Sequence, residues 1–302
     1  MPLKGAPRTR ADASAEMLGQ LHAAYRFNLE DRAMGAMIGS ALGDAVGLYT
    51  EFLLSVEEVI DIYGDFPAFK FHPPPVDPEF TGDEHRGNHP EGNWSDETDH
   101  AIVMTLSFLS RARTCRDLAG QISYSVDQIP LPPPRSIARR ILIWLNNGNM
   151  ALGTYPIGSG SHTRATVWAT DRTNAKGLVP AYTSAPNGAL MRTHPLGIMT
   201  TFRPELEAFE AAANLCKPTH FDPRCVISCV IGTGLVRACM RGEIRHEQHI
   251  DALVNRAVAW YIGWETDADA LTRFNRATLD AHVAPVNGFD GLHIHGGSEG
   301  YT

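Results

Sequence analysis

The feature that most constrains the fold is a four-residue repeat between positions 31 and 51. Residues four apart share one face of a helix, so the repeat predicts a helix that Asn28 or Asp31 can cap. One row of the repeat is apolar and a second row is glycine alone. Each helical glycine costs ~1 kcal/mol relative to alanine, so such a row indicates that a backbone or a ligand comes close. The apolar row is Met34, Ile38, Leu42 and Val46, and the glycine row is Gly35, Gly39, Gly43 and Gly47.

The end of this helix is acidic. Asp44 lies in its last turns and Glu51 follows it. Tight helix packing is one explanation of the glycine row. A ligand-binding surface next to these two carboxylates is the other, and the sequence leaves both open.

A second acidic cluster, WSDETDH at Trp94–His100, predicts the start of a helix with Ser95 as its N-cap. The helix dipole favours carboxylates in a first turn, so capping alone explains one or two of them. Three carboxylates interleaved with hydroxyls also suit a hard divalent cation such as Mg²⁺ or Mn²⁺. The carboxylates are Asp96, Glu97 and Asp99, and the hydroxyls belong to Ser95 and Thr98.

Charge and cysteine content narrow the class of protein. The formal net charge of -8 and a pI near 5.9 argue against a nucleic-acid partner. The chain has no run of about 18 apolar residues, so we expect no membrane partner. Five cysteines without a CxxC pair fit a reducing compartment, and we expect the cytoplasm or the nucleus. Cys225 and Cys229 are better explained as core residues than as zinc ligands.

Two later segments are candidates for binding an anion. Asn187 and Gly188 predict a tight turn followed by a helix start, whose free N–H groups attract phosphate. Arg192 could clamp a phosphate or pair with a structural carboxylate, and the sequence leaves both open. His220 precedes the helix start at Asp222, a position at which a histidine alone indicates nothing specific.

Together these motifs resemble the ADP-ribosylglycohydrolase family, which includes the dinitrogenase reductase-activating glycohydrolases. GDAVGLYTE at 43–51 followed by WSDETDH is similar to the family's G-D-A-x-G helix and its (T/S)-D-D-T motif. NGALMRTHPLG at 187–197 resembles its N-G-x-x-M-R-x-x-P-L-G segment. Thr219 and His220 resemble its T-H motif. All four motifs stand in the family's order.

The resemblance implies a Mg²⁺-dependent hydrolase that removes ADP-ribose from an ADP-ribosylated protein or a related ADP-ribose conjugate. Two Mg²⁺ (or Mn²⁺) ions are expected in the family. It implies that Glu51 contacts the ribose or acts as a base, and that Asp44 supports the motif from inside the bundle. By likeness, the metal ligands are Ser95, Asp96 and Glu97, the catalytic residues are Glu51, Asp96 and Glu97, and the substrate contacts are Ser184, Asn187, Gly188 and His220.

The chain departs from the family pattern at three places. Glu97 replaces the usual Asp and reaches one methylene further, and Pro186 stands where many members have glycine. The family's late G-D-x-D-T metal motif has no counterpart after Gly263, because TDAD at 266–269 has the wrong flanks. We therefore expect this chain to ligate the ions at most in part, with the remaining ligands beyond Thr302 or on a partner chain.

The coarse pattern predicts an all-α protein, an orthogonal multi-helix bundle, since no strand pattern or internal repeat is found. We expect residues 1–27 to be a flexible lead-in, with a mitochondrial presequence as the alternative. Residues 28–302 are expected to form one domain that is incomplete at its C-terminal end. Besides the two acidic helices, of which the second should end near 113, helices are predicted at 56–63, 114–128, 136–146, 223–241 and 246–262.

A long irregular stretch separates the two acidic motifs. It runs from 66 to 93 and is rich in proline, glycine and histidine. Long loops of this kind often border a functional site. His72, His85 and His89 lack a regular ligand spacing and are interpreted as exposed loop residues.

Three functions therefore stay open from the sequence. The first is an active hydrolase whose missing ligands come from elsewhere. The second is a non-catalytic protein that binds ADP-ribose through the 184–188 loop and His220. The third is a structural member of the family without a ligand.

Overall fold

The computed structural model describes residues 10–51, 53, 55–64, 89–90, 92–114, 129–149, 152–153, 155–158, 163 and 185–273, without the side chains of 10–27. All its regular elements in these ranges are helical, which confirms the predicted all-α class. The α-helices are α1 (Arg10–Gly47), α2 (Val56–Tyr63), α3 (Asp96–Thr114), α4 (Pro134–Asn147), α5 (His194–Met199), α6 (Glu205–Cys216), α7 (Pro223–Arg241), α8 (Glu247–Trp264) and α9 (Ala268–Arg273), and a 3₁₀ helix spans Asn187–Arg192.

Local capping chemistry sets the ends of α2 and α7 where the sequence predicts them. The Ser55 hydroxyl accepts a hydrogen bond from the Glu58 N–H at 3.2 Å and starts α2. Asp222 accepts one from the Arg224 N–H at 2.9 Å and starts α7. Gly242 ends α7 with φ +70°, a left-handed conformation that glycine adopts without strain. These boundaries therefore follow from short sequence signals.

The core forms around α7, which packs against α1, α5, α6, α8 and the 3₁₀ helix. Close backbone approach occurs here, because a Cβ added at Gly197 of α5 would lie 2.6 Å from Cβ of Val236. Within the described ranges α7 alone is long and apolar enough to cross a membrane, yet 61% of it is buried inside the protein. Cys225 and Cys229 of α7 are fully buried in the apolar core, as predicted.

The first helix departs from its sequence prediction. It begins at Arg10, so part of the expected lead-in is helical, and it ends at Gly47. Tight packing of the glycine row is wrong for the described residues, because a Cβ added at any of these glycines meets nothing within 4 Å. The ligand-binding alternative stays a prediction. The apolar row also points to solvent, with Met34 62% exposed. The reason is orientation, since α1 lies on α3, α5 and α7 through another face, where Arg32 donates to the carbonyl oxygens of Cys239 and Met240.

Other predicted segments have mixed outcomes. The helix predicted at 136–146 is α4 and is slightly longer, and the helix predicted at 246–262 is α8. The helix predicted at 114–128 lies outside the described residues, apart from its first position. His72 and His85 also lie outside them, and His89 is partly buried rather than exposed.

Candidate functional site

Asp44 of α1 anchors the start of α3. Its Oδ1 accepts hydrogen bonds from the backbone N–H and the hydroxyl of Ser95, at 3.0 and 2.8 Å. Its Oδ2 accepts from the N–H and the hydroxyl of Thr98, at 3.0 and 2.6 Å. An N-cap side chain normally accepts from the N–H of the third helical residue. Ser95 occupies the cap position, but Asp44 accepts the hydrogen bond from the Thr98 N–H in its place. This confirms that Asp44 supports the motif from inside the bundle.

The carboxylates next to this clamp repel one another. Asp96 is only 7% exposed. Burial, followed by the charges of Glu97 and Glu51, raises the pKa of Asp96 well above its ordinary range. Burial, followed by the charge of Glu51, raises the pKa of Glu97 to about 6. The predicted catalytic residues Glu51, Asp96 and Glu97 are therefore brought together in one acidic cluster.

This cluster has the donor chemistry of one side of a hard-cation site. The Ser95 hydroxyl lies against the Glu97 carboxylate. Oxygen donors of this kind suit Mg²⁺, which retains several waters as ligands. Within the part of the chain that the structure describes, no group of three or more His, Cys, Asp or Glu side chains is placed to hold a metal ion. The metal-ligand role of Ser95, Asp96 and Glu97 thus stays a prediction.

Two tyrosines hold the segment that carries Glu51. The Tyr63 hydroxyl on α2 donates to the carbonyl oxygen of Tyr49 at 2.5 Å. The Tyr49 hydroxyl in turn accepts from the N–H of Gly92 at 3.1 Å, and the two rings meet edge to face. These contacts connect the end of α1 with the segment that enters α3. Glu51 is thereby held near Asp96 and Glu97.

Asp99 does not belong to the acidic cluster, contrary to its place among the oxygen donors expected from the sequence. Its Oδ1 accepts from the indole N–H of Trp94 at 3.1 Å, and its Oδ2 from that of Trp144 at 2.7 Å. His100 packs edge to face on Trp144, with 4.6 Å between ring centroids. Burial, assisted by the charge of Arg192, lowers the pKa of His100 to about 3. Asp99 and His100 therefore build the support behind the cluster. Residue type alone did not distinguish Asp99 from its neighbours, whereas the resemblance left it out of the ligand set.

A cavity of about 240 Å³ opens next to this support. One side is lined by Trp94, Ser95 and Asp99, and the other includes Gly153 and Tyr155. Gly153 lies in a turn after α4. The cavity is thus next to the motif that carries the acidic cluster.

The substrate contacts expected from the resemblance lie on the 3₁₀ helix and on the turn before α7. A Cβ added at Gly188 would lie 3.1 Å from both Cε1 and Nε2 of His220. The two motifs, separated by 32 positions in the sequence, are therefore in contact. Asn187 starts the 3₁₀ helix next to Gly188. Ser184 lies outside the described residues.

Arg192 matches neither of its two sequence interpretations. The side chain is 1% exposed. It donates to the carbonyl oxygens of Gly188 and Leu215, at 3.2 and 3.3 Å, and to the hydroxyl of Thr219 at 2.6 Å. These acceptors are neutral, so Arg192 joins the 3₁₀ helix to the turn that carries His220. The sequence could indicate its importance but not these partners.

The acidic and basic groups belong to one packed unit. Helix α3 packs directly against the 3₁₀ helix. The acidic half comprises Glu51, Asp96 and Glu97 with the Asp44 clamp. The basic half comprises Asn187, Gly188 and His220 with Arg192 beneath them. The arrangement thus packs a group of carboxylates on one side and the imidazole of His220, which is 1% exposed, against Gly188 on the other.

Comparison with known proteins finds a matching family profile and a similar solved structure. The profile of a family described as ADP-ribosylglycohydrolase matches residues 26–301. A solved structure described as an ADP-ribosylglycohydrolase-related protein complex is similar over 75% of this chain, with 24% identity and a TM-score of 0.48. The chain spans 61% of the length of that structure. No curated protein matches the chain.

Proposed function

Because the chain belongs to the ADP-ribosylglycohydrolase family, we propose that it is a Mg²⁺-dependent hydrolase that removes ADP-ribose from an ADP-ribosylated protein or a related conjugate. Family membership by itself supports a glycohydrolase-type function. The metal dependence and the kind of conjugate are our proposal.

The observation that carries the proposal is the raised pKa of two adjacent carboxyl groups. Burial and neighbouring carboxylates raise the pKa of both Asp96 and Glu97. A protein that keeps such groups together in a buried cluster gains most when a cation binds among them. This favours a cation-dependent site over a helix start that is merely capped.

The acidic half suits cleavage of a glycosidic bond. Hydrolysis breaks the bond between the anomeric carbon and the leaving group, and positive charge develops on that carbon. The negative carboxylates stabilise this positive charge electrostatically. We assign Glu51 to take a proton from the attacking water, whose oxygen bonds to the anomeric carbon. The leaving group departs with the electron pair of the broken bond and takes a proton from a solvent water, and Glu51 later returns its proton to the solvent. Asp44 keeps Ser95 and the first turn of α3 in place during the reaction.

Ser95, Asp96 and Glu97 would hold one metal ion on one side. When bound, Mg²⁺ orients the ribose hydroxyls and lowers the pKa of a bound water. The extra methylene of Glu97 gives its carboxylate a longer reach than the family's usual Asp. The second ion of the family would need ligands besides these three.

The basic half suits the diphosphate of ADP-ribose. The imidazole edge of His220 lies against Gly188, and a Cβ at that position would crowd its Cε1 and Nε2 atoms at 3.1 Å. Asn187 offers an amide at the same turn. These groups bind and orient the nucleotide so that its ribose reaches the carboxylates across the contact between α3 and the 3₁₀ helix.

Isothermal titration of the full chain with ADP-ribose, with and without Mg²⁺, tests the proposal. We expect binding that Mg²⁺ strengthens, together with release of ADP-ribose from at least one member of a panel of conjugates. The panel should include linkages to arginine, to serine, to a nucleic-acid end and to an acetylated ester. Binding that ignores Mg²⁺, without release from any conjugate, would instead support a non-catalytic ADP-ribose binder. Absence of any binding heat would support a structural family member.

A further inference from the structure

Arg192 is an unusual residue to bury at this place. Removing a guanidinium from water is costly, and burial lowers the pKa of Arg192 accordingly. Among the described residues its hydrogen-bond acceptors are two backbone carbonyls and one hydroxyl, and none is a carboxylate. An apolar side chain of similar volume would avoid that cost. The hydrogen bonds themselves therefore deserve an explanation.

The bond to Thr219 determines how the hydroxyl of that residue can act. An arginine only donates, so Oγ1 of Thr219 accepts from Nη2 of Arg192 at 2.6 Å. The single hydroxyl proton of Thr219 is then available to one acceptor. Two atoms compete for it, Nδ1 of His220 at 2.8 Å and the carbonyl oxygen of Cys216 at 3.3 Å.

Distance and acceptor capacity favour His220 in this competition. The carbonyl oxygen of Cys216 already accepts from the backbone N–H groups of Thr219 and His220, at 3.1 and 3.0 Å. A carbonyl oxygen has two lone pairs, and both are engaged. The shorter contact to Nδ1 is thus the one that the hydroxyl proton occupies. A neutral imidazole that accepts at Nδ1 carries its own proton on Nε2.

We propose that Arg192 and Thr219 are positioning residues that fix His220 in the tautomer protonated at Nε2, so that this nitrogen donates to an anionic oxygen of the ligand next to Gly188. The chain of donors runs from the buried guanidinium through the threonine hydroxyl to the imidazole. Without this chain of donors, either ring nitrogen of His220 could carry the proton. One of the two tautomers would then present an unprotonated Nε2, which is an acceptor, to the anion. The part of the inference that concerns the ligand rests on the proposed function, whereas the tautomer does not.

The tautomer can be read by long-range ¹H–¹⁵N NMR of the full chain labelled with ¹⁵N-histidine, without any ligand. The signals of His220 are identified by their absence from the His220→Ala variant. We expect a protonated Nε2 and an unprotonated, hydrogen-bonded Nδ1. A protonated Nδ1 in the unmodified chain would overturn the inference.

Thr219→Val removes the hydroxyl at nearly constant volume. We expect mixed tautomers of His220 and an ADP-ribose affinity about fivefold lower. Thr219→Ser keeps the hydroxyl and should restore both properties. Thr233→Val is the matched control, because Thr233 is equally buried and its hydroxyl has no hydrogen-bond partner in the described part of the chain. A valine variant that keeps a pure Nε2 tautomer, or a serine variant that loses it, would contradict the inference.

Arg192→Lys tests the first member of the chain. A lysine has no planar fork and cannot reproduce the three bonds, so we expect a change of tautomer similar to that of Thr219→Val. Should this variant fail to fold, the threonine pair alone decides the matter. If the unmodified chain shows the Nε2 tautomer but binds no ADP-ribose, the tautomer assignment stands and the proposed function is the part that fails.

Discussion

The acidic and basic halves of the candidate site handle buried charge in opposite ways. In the acidic half, Asp96 and Glu97 lie near each other and near Glu51, and their pKa values are raised as a result. In the basic half, Arg192 is buried among neutral acceptors that take all its observed hydrogen bonds. The carboxylates of the acidic half repel one another, whereas the guanidinium of the basic half has acceptors for its hydrogen bonds.

This difference indicates which half depends on a ligand for its structure. The acidic half gains stability when a cation binds, because binding relieves repulsion among its carboxylates. The basic half is ordered beforehand, so that His220 and Gly188 meet without help from a ligand. We therefore expect metal ions to change the properties of the acidic half and to leave the basic half nearly unchanged.

The largest expected effect is that of Asp96→Asn in the acidic half. Loss of this carboxylate should remove Mg²⁺-dependent release of ADP-ribose by about a thousandfold, since a metal ion supplies several kcal/mol in such reactions. The circular dichroism spectrum should stay helical, because Asn still suits a first turn. Asp251→Asn, an exposed change on α8, serves as the control and should keep the full rate. A fully active Asp96→Asn variant would show that this motif is only a helix start.

The next effect is that of His220→Ala in the basic half. We expect at least about a tenfold loss of ADP-ribose affinity, because a hydrogen bond to a charged group is removed, and little change for free ribose. Titration calorimetry measures the first and ligand-observed NMR the second. An equal loss for both ligands would remove His220 from the diphosphate-binding position.

A smaller effect is expected from Gly188→Ala. The new Cβ would lie 3.1 Å from the His220 ring, so the ring must move by a few tenths of an ångström. We expect ADP-ribose to bind several-fold more weakly, with Mg²⁺ affinity unchanged. Gly39→Ala is the matched control, because its Cβ meets nothing within 4 Å and helix propensity should add ~1 kcal/mol of stability. Unchanged ADP-ribose binding in Gly188→Ala would argue that the contact with His220 does not matter.

The last expected effect is on the free energy of unfolding and not on ligand binding: this free energy should depend on pH. The pKa of Glu97 is raised from 4.5 to about 6 in the folded chain. Between these values the folded state holds a proton that the unfolded state releases, so the free energy of unfolding falls as pH rises through this window. Urea unfolding without divalent cations should show this fall, by about 2 kcal/mol across the whole window, and Glu97→Gln should reduce it. If the free energy of unfolding changes equally with pH in the unmodified chain and in Glu97→Gln, the carboxylates of the acidic half repel one another less than we infer.

Short-range signals explain the predictions that succeeded. Ser55 and Gly64 delimit α2, and Asp222 and Gly242 delimit α7, because the polar groups at a helix end must be satisfied within a few residues of it. The family resemblance assigned Gly188 and His220 to the substrate, and only the structure shows that they contact each other. The supporting role of Asp44 also came from the resemblance.

Long-range orientation explains the predictions that failed. The glycine row of α1 correctly indicates a helix, but periodicity does not say which face turns inward. Residue type alone groups Asp99 with Asp96, although the resemblance leaves Asp99 out of the ligand set, and the indole N–H groups of Trp94 and Trp144 bind its carboxylate. Both outcomes depend on partners far along the chain.

The sequence by itself determined the helical class, the approximate ends of α2, α3, α4, α7 and α8, and the residue types that the site offers. These follow from spacing and capping, which act over three or four residues. Only the tertiary structure decided that Asp44 anchors α3, that Arg192 reaches Thr219, and that the glycine row is open. The physical reason is that hydrogen bonds between distant segments are selected by how helices pack, and packing is a property of the whole core.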